Sequence, residues 1–565
     1  MMNMSRLSRT RTEAAVRREG LAGKLALAIT MLLGAWHPLE AQLSPLTTAE
    51  ASGFKATSRY ADVIEFVNEL QRHSPLIRVE SMGTTTEGRD IPLVVIGDPL
   101  PASPAELRYD QRAVVYFQAN IHAGEVEGKE AAQMLTRDLV EGRTANYLDR
   151  LVILIAPIFN PDGNEKISTR NRTNQHGPEQ GVGVRYNGQN LDLNRDGMKL
   201  ETPEVRGLVQ NVLLRWDPVF FLDSHTHNGS YHQEPVTWTW GLNPNGDPAI
   251  PTFMSDVLLP FVEERMREKY NTLTVPHGDF MSVREPEQGW VPLPPQPRYL
   301  SNYVGLRNRL SVLNEQYPYV DFETRVRGAY HLFLTFLDYI HEHKNEVVAM
   351  IRDADRRAVA RGTSPSQEDA FIVEYDSQPI EQRLTIRGYE MEVVEREGAR
   401  PRIAVSDQER MYSNVPYFAR FTAKRSVPYP RGYLIPVADD AVIRTLLLHG
   451  IAVERLLKPV NLTVEAFTVT EVTGAGRLNQ GHYTTSVSGE YRTIDREFPA
   501  GTYLVRTAQA LGAVAAYLLE PDSDDGLLVW NFFDRYLQAQ WGSQPQTYPV
   551  YKLYAPVNLV AERVK

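Results

Sequence analysis

The stretch Ala113-Val-Val-Tyr-Phe-Gln-Ala-Asn-Ile-His-Ala-Gly-Glu125 is an apolar run that ends abruptly in two ionisable residues. The run is continuous rather than alternating, the pattern of a strand buried on both faces of a largely parallel sheet. Four further runs stand out: Ile91–Ile96, Leu151–Phe159, Val219–Leu222 and Leu310–Leu313. Segments of helical period separate them, for example Glu127–Val140 and Thr202–Leu214. Strands alternating with helices predict an α/β domain with helices on both faces of the sheet. After Glu315 one long helix is expected over about Arg325–Ala360, with Leu332, Phe333, Phe336, Leu337, Ile340 and Val347 at helical spacing.

The chain has 565 residues, 42% of them hydrophobic and 23% charged. These values exclude a disordered chain, a coiled coil and a multi-span membrane protein. The net charge is −10 and the body of the chain has no basic tract, so nucleic acid is not an expected partner. The absence of cysteine excludes disulfides, thiolate-bound zinc and thiol catalysis. Arg6, Arg9, Arg11, Arg17, Arg18 and Lys24 precede an apolar run of 12 residues, Leu25–Trp36. That run is too short to span a membrane and suits a secretory signal. Residues 1–41 are therefore expected to be a signal peptide, giving a secreted or periplasmic protein without stable membrane insertion. A catalytic domain is expected over 42–360, a polar linker over 361–369 and a smaller α+β accessory domain over 370–565. In the last, Val460–Val472 predicts a strand, and helices are expected near Asp439–Leu448 and Thr507–Leu519. The long connection from His227 to Leu306 includes a proline-rich piece.

Polar residues cluster where the apolar runs stop. His122 and Glu125 follow one run, Asn160 and Asp162 another, Asp223, His225 and His227 a third, and Asn314 and Glu315 a fourth. The carboxyl ends of strands are where open α/β sheets bind ligands. His122 and Glu125, three residues apart, fall on one side of a helical turn. With His225 they would make two imidazoles and one carboxylate, a catalytic zinc set that leaves a position open.

In order along the chain, Glu87-Gly-Arg89, His122-Ala-Gly-Glu125, Asn160-Pro-Asp-Gly163, Asp192-Leu-Asn-Arg195, Asp223-Ser-His225 and Leu313-Asn-Glu315 resemble the motifs of zinc carboxypeptidases of the carboxypeptidase A-like family. The resemblance covers roughly residues 55–345. It implies a mixed, largely parallel sheet of about eight strands sandwiched by helices. It also implies one Zn²⁺ per chain held by His122, Glu125 and His225, with Glu315 as general base. Asp192 would orient the first zinc imidazole. Asn194 and Arg195 would grip the substrate's terminal carboxylate, a task suited to a guanidinium fork. Of Arg170 and Arg172, the latter is favoured to stabilise the oxyanion. Tyr303 resembles the mobile tyrosine that closes over substrate, although it lies nearer to Glu315 than is usual.

Gly124 stands where the family often has an arginine, and Asp196 where another asparagine is common. His227 is expected to line the pocket or bond locally. His232 is expected either there or on the surface, and His341 and His343 in solvent. The function implied is an exported zinc metallopeptidase that removes C-terminal residues from peptides with a free C-terminus. The alternatives are a related zinc amidohydrolase, acting on cell-wall peptides or acyl-amino acids, and a non-catalytic binding protein on the same fold.

Overall fold

A computed structural model describes residues 44–227, 229–396, 398, 402–538 and 546–565. The expected signal peptide lies outside the described residues. Among those described, no helix is long and apolar enough to cross a membrane.

Among the described residues, ten strands occupy the first two-thirds of the chain: β1 (Ile77–Thr84), β2 (Asp90–Ile96), β3 (Ala113–Ala119), β4 (Leu151–Ala156), β5 (Phe220–Thr226), β6 (Val236–Trp240), β7 (Thr274–Pro276), β8 (Asp279–Phe280), β9 (Trp290–Val291) and β10 (Leu310–Gln316). Eight of them form one sheet in the order β1-β2-β4-β3-β5-β10-β6-β7, and β8 pairs with β9 apart from it. Its centre, β4-β3-β5-β10, is parallel, while β1, β2 and β6 join antiparallel to their inner neighbours. The mixed eight-stranded sheet expected from the sequence is therefore present.

Residues of β3 alternate between two cores. Val115 and Phe117 face the helices Tyr60–His73, Glu127–Val140 and Phe322–Glu342. Val114 and Tyr116 face Pro203–Leu208 and Leu300–Leu306. Because both faces are buried, the strand reads as an unbroken apolar run.

The structure corrects three boundaries. Strands β5 and β10 run on through Thr226 and Gln316, so His225 and Glu315 lie within strands rather than after them. The turn from His122 to Glu125 precedes the helix Glu127–Val140 instead of belonging to it. The long helix expected over Arg325–Ala360 is two helices, Phe322–Glu342 and Lys344–Thr363, parted at His343, whose φ of −109° and ψ of 21° are not helical.

The second helix runs to Thr363 and the next strand opens at Ala370, so the connection is shorter than the expected 361–369. Beyond it lie two antiparallel ribbons and a seven-stranded antiparallel sheet. The strand Gly432–Ile435 and the helix Gly512–Leu519 contribute Tyr433, Val514 and Leu518 to the same core that Val114 and Tyr116 enter. Contacts unite Leu46–Lys565 in one compact unit.

Candidate metal centre

Strand β3 leaves the sheet through Asn120, whose φ of 65° turns the chain sharply. Its side-chain amide donates to the carbonyls of Ala123 and Glu125, and the Asn160 amide donates to that of Ile121. These bonds fix the turn that presents His122 and Glu125. Asp162, fully buried, accepts from Thr85, from the Glu87 backbone and from Arg89. The Glu87-Gly-Arg89 and Asn160-Pro-Asp-Gly163 motifs thus brace one another.

His122, Glu125 and His225 converge and are buried. His122 Nδ1 lies 3.1 Å from both Glu125 oxygens. His225 Nδ1 lies 3.0 Å from Glu125 Oε2 and 3.1 Å from His122 Nδ1. The far nitrogens lie beside carboxylates: His122 Nε2 is within hydrogen-bond reach of Asp192 Oδ1 at 3.0 Å, and His225 Nε2 makes an ion-pair approach of 2.9 Å to Asp223 Oδ2 without hydrogen-bond alignment. Protons held at the two Nε2 atoms leave both Nδ1 lone pairs turned toward each other and toward a carboxylate. Only a proton or a cation between such donors relieves their repulsion. A tetrahedral zinc ion with bonds of ~2.0 Å has donor–donor edges of about 3.3 Å. The 3.0–3.1 Å spacings here fit that set.

Two arginines flank the cluster. Arg172 Nη1 donates to Glu125 Oε1 at 2.9 Å, and its Nη2 to the Thr226 carbonyl at 3.0 Å. Arg185 Nε donates to Asp192 Oδ2 at 2.8 Å, and its Nη1 lies 3.7 Å from Glu125 Oε1. The sequence reading missed Arg185, which no motif distinguishes from the other arginines. Burial opposes ionisation of Glu125, but His122 and Arg172 hold its carboxyl well below the usual range. Burial likewise opposes the charge on Asp192, and His122 and Arg185 outweigh it. His225 is raised: burial disfavours its cation, and Asp223 and Glu125 prevail.

Glu315 pairs in register with His225 across the β5–β10 ladder. Its Oε2 is buried without a hydrogen-bond partner among the described residues. Burial, eased by His225 and reinforced by Glu125, pushes this carboxyl up to about 8.

The remaining expected residues are placed unevenly. Arg195 leans over the Tyr299 ring, 4.3 Å from its centroid, 3.8 Å from Asp192, and donates to the Asn194 carbonyl. Asn194 is buried and its Oδ1 accepts from the Leu300 backbone. Tyr303 is not brought to the cluster. It is fully buried in the helix Leu300–Leu306, with its hydroxyl 2.7 Å from His449 Nδ1 and accepting from Arg307. A side chain so enclosed has no room to swing over a substrate.

His227 bonds locally, accepting from the Gly229 backbone, and packs against His277 and His232. His232 is fully buried, which corrects its surface reading. Gly124 has a steric reason: a Cβ there would meet Arg172 Cδ at 2.5 Å, so the Arg172 stem occupies the space another side chain would need.

Residues 63–234 match the family described as zinc carboxypeptidase. Among curated proteins, "Carboxypeptidase 2" of Trichophyton rubrum is 22% identical over 530 residues, covering 89% of this chain and 88% of that protein. "Inactive metallocarboxypeptidase ECM14" of Saccharomyces cerevisiae is 30% identical over 122 residues, 20% of this chain and 27% of that one. Among solved structures, the carboxypeptidase A of Helicoverpa armigera aligns at 17% identity with a TM-score of 0.39, covering 61% of this chain and 87% of that chain. Over residues 63–234 the chain is thus similar to the zinc carboxypeptidase family, in keeping with its sheet and its motifs.

Proposed function

We propose that this protein is an exported zinc-dependent carboxypeptidase that releases single residues from the C-terminus of peptides. The observation that carries the reading is the Glu315 carboxyl, buried with one oxygen that has no hydrogen-bond partner among the described residues and set opposite His225 in the donor cluster. Zinc, when bound by His122, Glu125 and His225, acidifies water and polarises a carbonyl. Glu315 then takes the proton of the attacking water and delivers it to the departing amine. Its elevated proton affinity suits both halves of that transfer. Arg172, and beside it Arg185, meets the negative charge that builds on the carbonyl oxygen. Arg195 receives the terminal carboxylate through its guanidinium fork, held over Tyr299. Asp192 fixes the ring of His122 through Nε2. Residues 1–41 supply the export signal.

A yeast relative is named as inactive, so turnover has to rest on this chain's own residues. The test uses N-blocked peptides with varied last residues, each as free acid and as amide, assayed with zinc, with a chelator and with Glu315→Gln. Release of single residues from the free acids alone, lost with chelator and with Glu315→Gln, is the expected result. Equal cleavage of the amides would instead identify an amidohydrolase. A zinc-loaded protein that cleaves neither would be a binding protein.

A further inference from the structure

The C-terminal region reaches the segment that carries Asp192. The strands Val460–Gly474 and Thr485–Phe498 form a long hairpin whose distal end lies against the segment that carries Asp192 and Arg195. There Asn479 and His482 exchange both backbone hydrogen bonds, at 2.8 and 2.9 Å, around Gln480 and Gly481. Both central residues have positive φ, 51° and 81°. This is the tight two-residue turn whose twist matches a hairpin, and it requires left-handed backbone at both positions. It holds the Gln480 side chain out on a rigid support. The backbone N–H of Asp192 donates to Gln480 Oε1 at 2.8 Å.

Neighbouring contacts secure the same segment. His482 Nε2 lies 2.9 Å from both oxygens of Glu201, and its Nδ1 lies 2.9 Å from Asn531 Oδ1. Lys199 donates to the Arg195 carbonyl and sits 4.6 Å from the centre of the Trp530 ring. The segment from Asp192 to Glu201 is therefore pinned at both ends by residues of the C-terminal region.

We propose that Gln480 is a positioning residue for the metal centre. By taking the Asp192 amide it sets where the Asp192 carboxylate meets the His122 ring, and where the adjoining turn Leu193–Arg195 places the Arg195 guanidinium. The hairpin thereby makes metal affinity and carboxylate recognition depend on the C-terminal region. The role in recognition rests on the carboxypeptidase reading above, whereas the role in metal affinity does not.

The test compares the full chain with Gln480→Ala, which removes the acceptor, and Gln480→Glu, which restores one. Tyr483→Ala, an exposed change in the same loop, is the control. Zinc affinity is measured by competition with a chromogenic chelator, and kcat and KM with a blocked dipeptide of free carboxylate. Direct partners of a ligand imidazole are worth 10–100-fold in metal affinity. Acting through Asp192, Gln480→Ala is expected to weaken zinc binding by about three- to tenfold. KM should rise by a similar factor with kcat changed less than twofold, and Gln480→Glu should recover most of both. Zinc affinity and KM within twofold of the native chain in a Gln480→Ala protein with native melting behaviour would overturn the proposal. So would equal losses in Tyr483→Ala. If the native chain binds zinc but cleaves no peptide, the carboxypeptidase reading falls while the zinc measurement still decides the role of Gln480. Should Gln480→Ala fail to fold, Gln480→Met, which keeps the bulk without the acceptor, is read in its place.

Discussion

Glu315 and His225 occupy paired positions on adjacent parallel strands, so their side chains rise from the same face of the sheet next to each other. The ladder, rather than a flexible loop, sets the spacing between the proposed base and the metal donors. Rigid elements hold reacting groups more closely than loops do.

Glu315→Gln keeps the shape of that side chain and removes its capacity to take a proton. General bases contribute about 10²–10⁴-fold to rate, and a loss in kcat of that size is expected. Zinc stoichiometry should remain one per chain, because Glu315 is outside the donor set. Turnover within tenfold of native, measured on metal-loaded protein, would remove Glu315 from the base role.

Asp192 faces His122 on one oxygen and Arg185 on the other. Asp192→Asn loses the charge that holds the imidazole, and zinc affinity is expected to fall about 10–100-fold. Competition with a chelator reads this directly. An unchanged affinity would show that the His122 ring is oriented without its carboxylate partner.

At position 124 the prediction is steric. A methyl group there would lie 2.5 Å from Arg172 Cδ and 3.0 Å from the Gly183 carbonyl, so the arginine stem must move. Gly124→Ala should leave the fold intact and lower kcat/KM by about ten- to a hundredfold, short of the full cost of deleting a transition-state donor. Kinetics together with a melting curve separate this from unfolding, and native kinetics would place Arg172 outside the reacting region.

Glu204 gives a pH prediction remote from the chemistry. Burial, reinforced by Asp162 and Asp196, pushes its carboxyl up to about 7 from 4.5. Its Oε2 accepts from Asn187, while Oε1 has no hydrogen-bond partner among the described residues. A carboxyl raised on folding contributes stability that is fully present below about pH 4.5 and lost as pH climbs through 7. Glu204→Gln cannot ionise, so it should gain on the native chain as pH rises from 5 to 8, by on the order of 2 kcal/mol. Urea unfolding at the two pH values measures this, and parallel curves for both proteins would refute it.

The sequence by itself determined the frame of this protein. The runs ending at Ile121, Phe159, Leu222 and Leu313 are legible because a strand buried on both faces must be apolar along its length. The helix Glu127–Val140 is legible because Ala131, Leu135 and Leu139 recur at helical spacing, even though packing buries the helix on nearly all sides. His122, Glu125, His225 and Glu315 stand out because ionisable side chains follow directly on those runs, next to positions where buried strands otherwise exclude them.

What only the tertiary structure decided are relations between distant segments. Arg185 reaches Asp192 and Glu125, Tyr303 is locked to His449, and Gln480 takes an amide 288 residues away in sequence. None of these carries a local signature. An arginine, a tyrosine or a glutamine reads the same in sequence whether solvent or another part of the chain meets it. Periodicity records which side of an element is buried, whereas the partner found there is settled by how the elements pack.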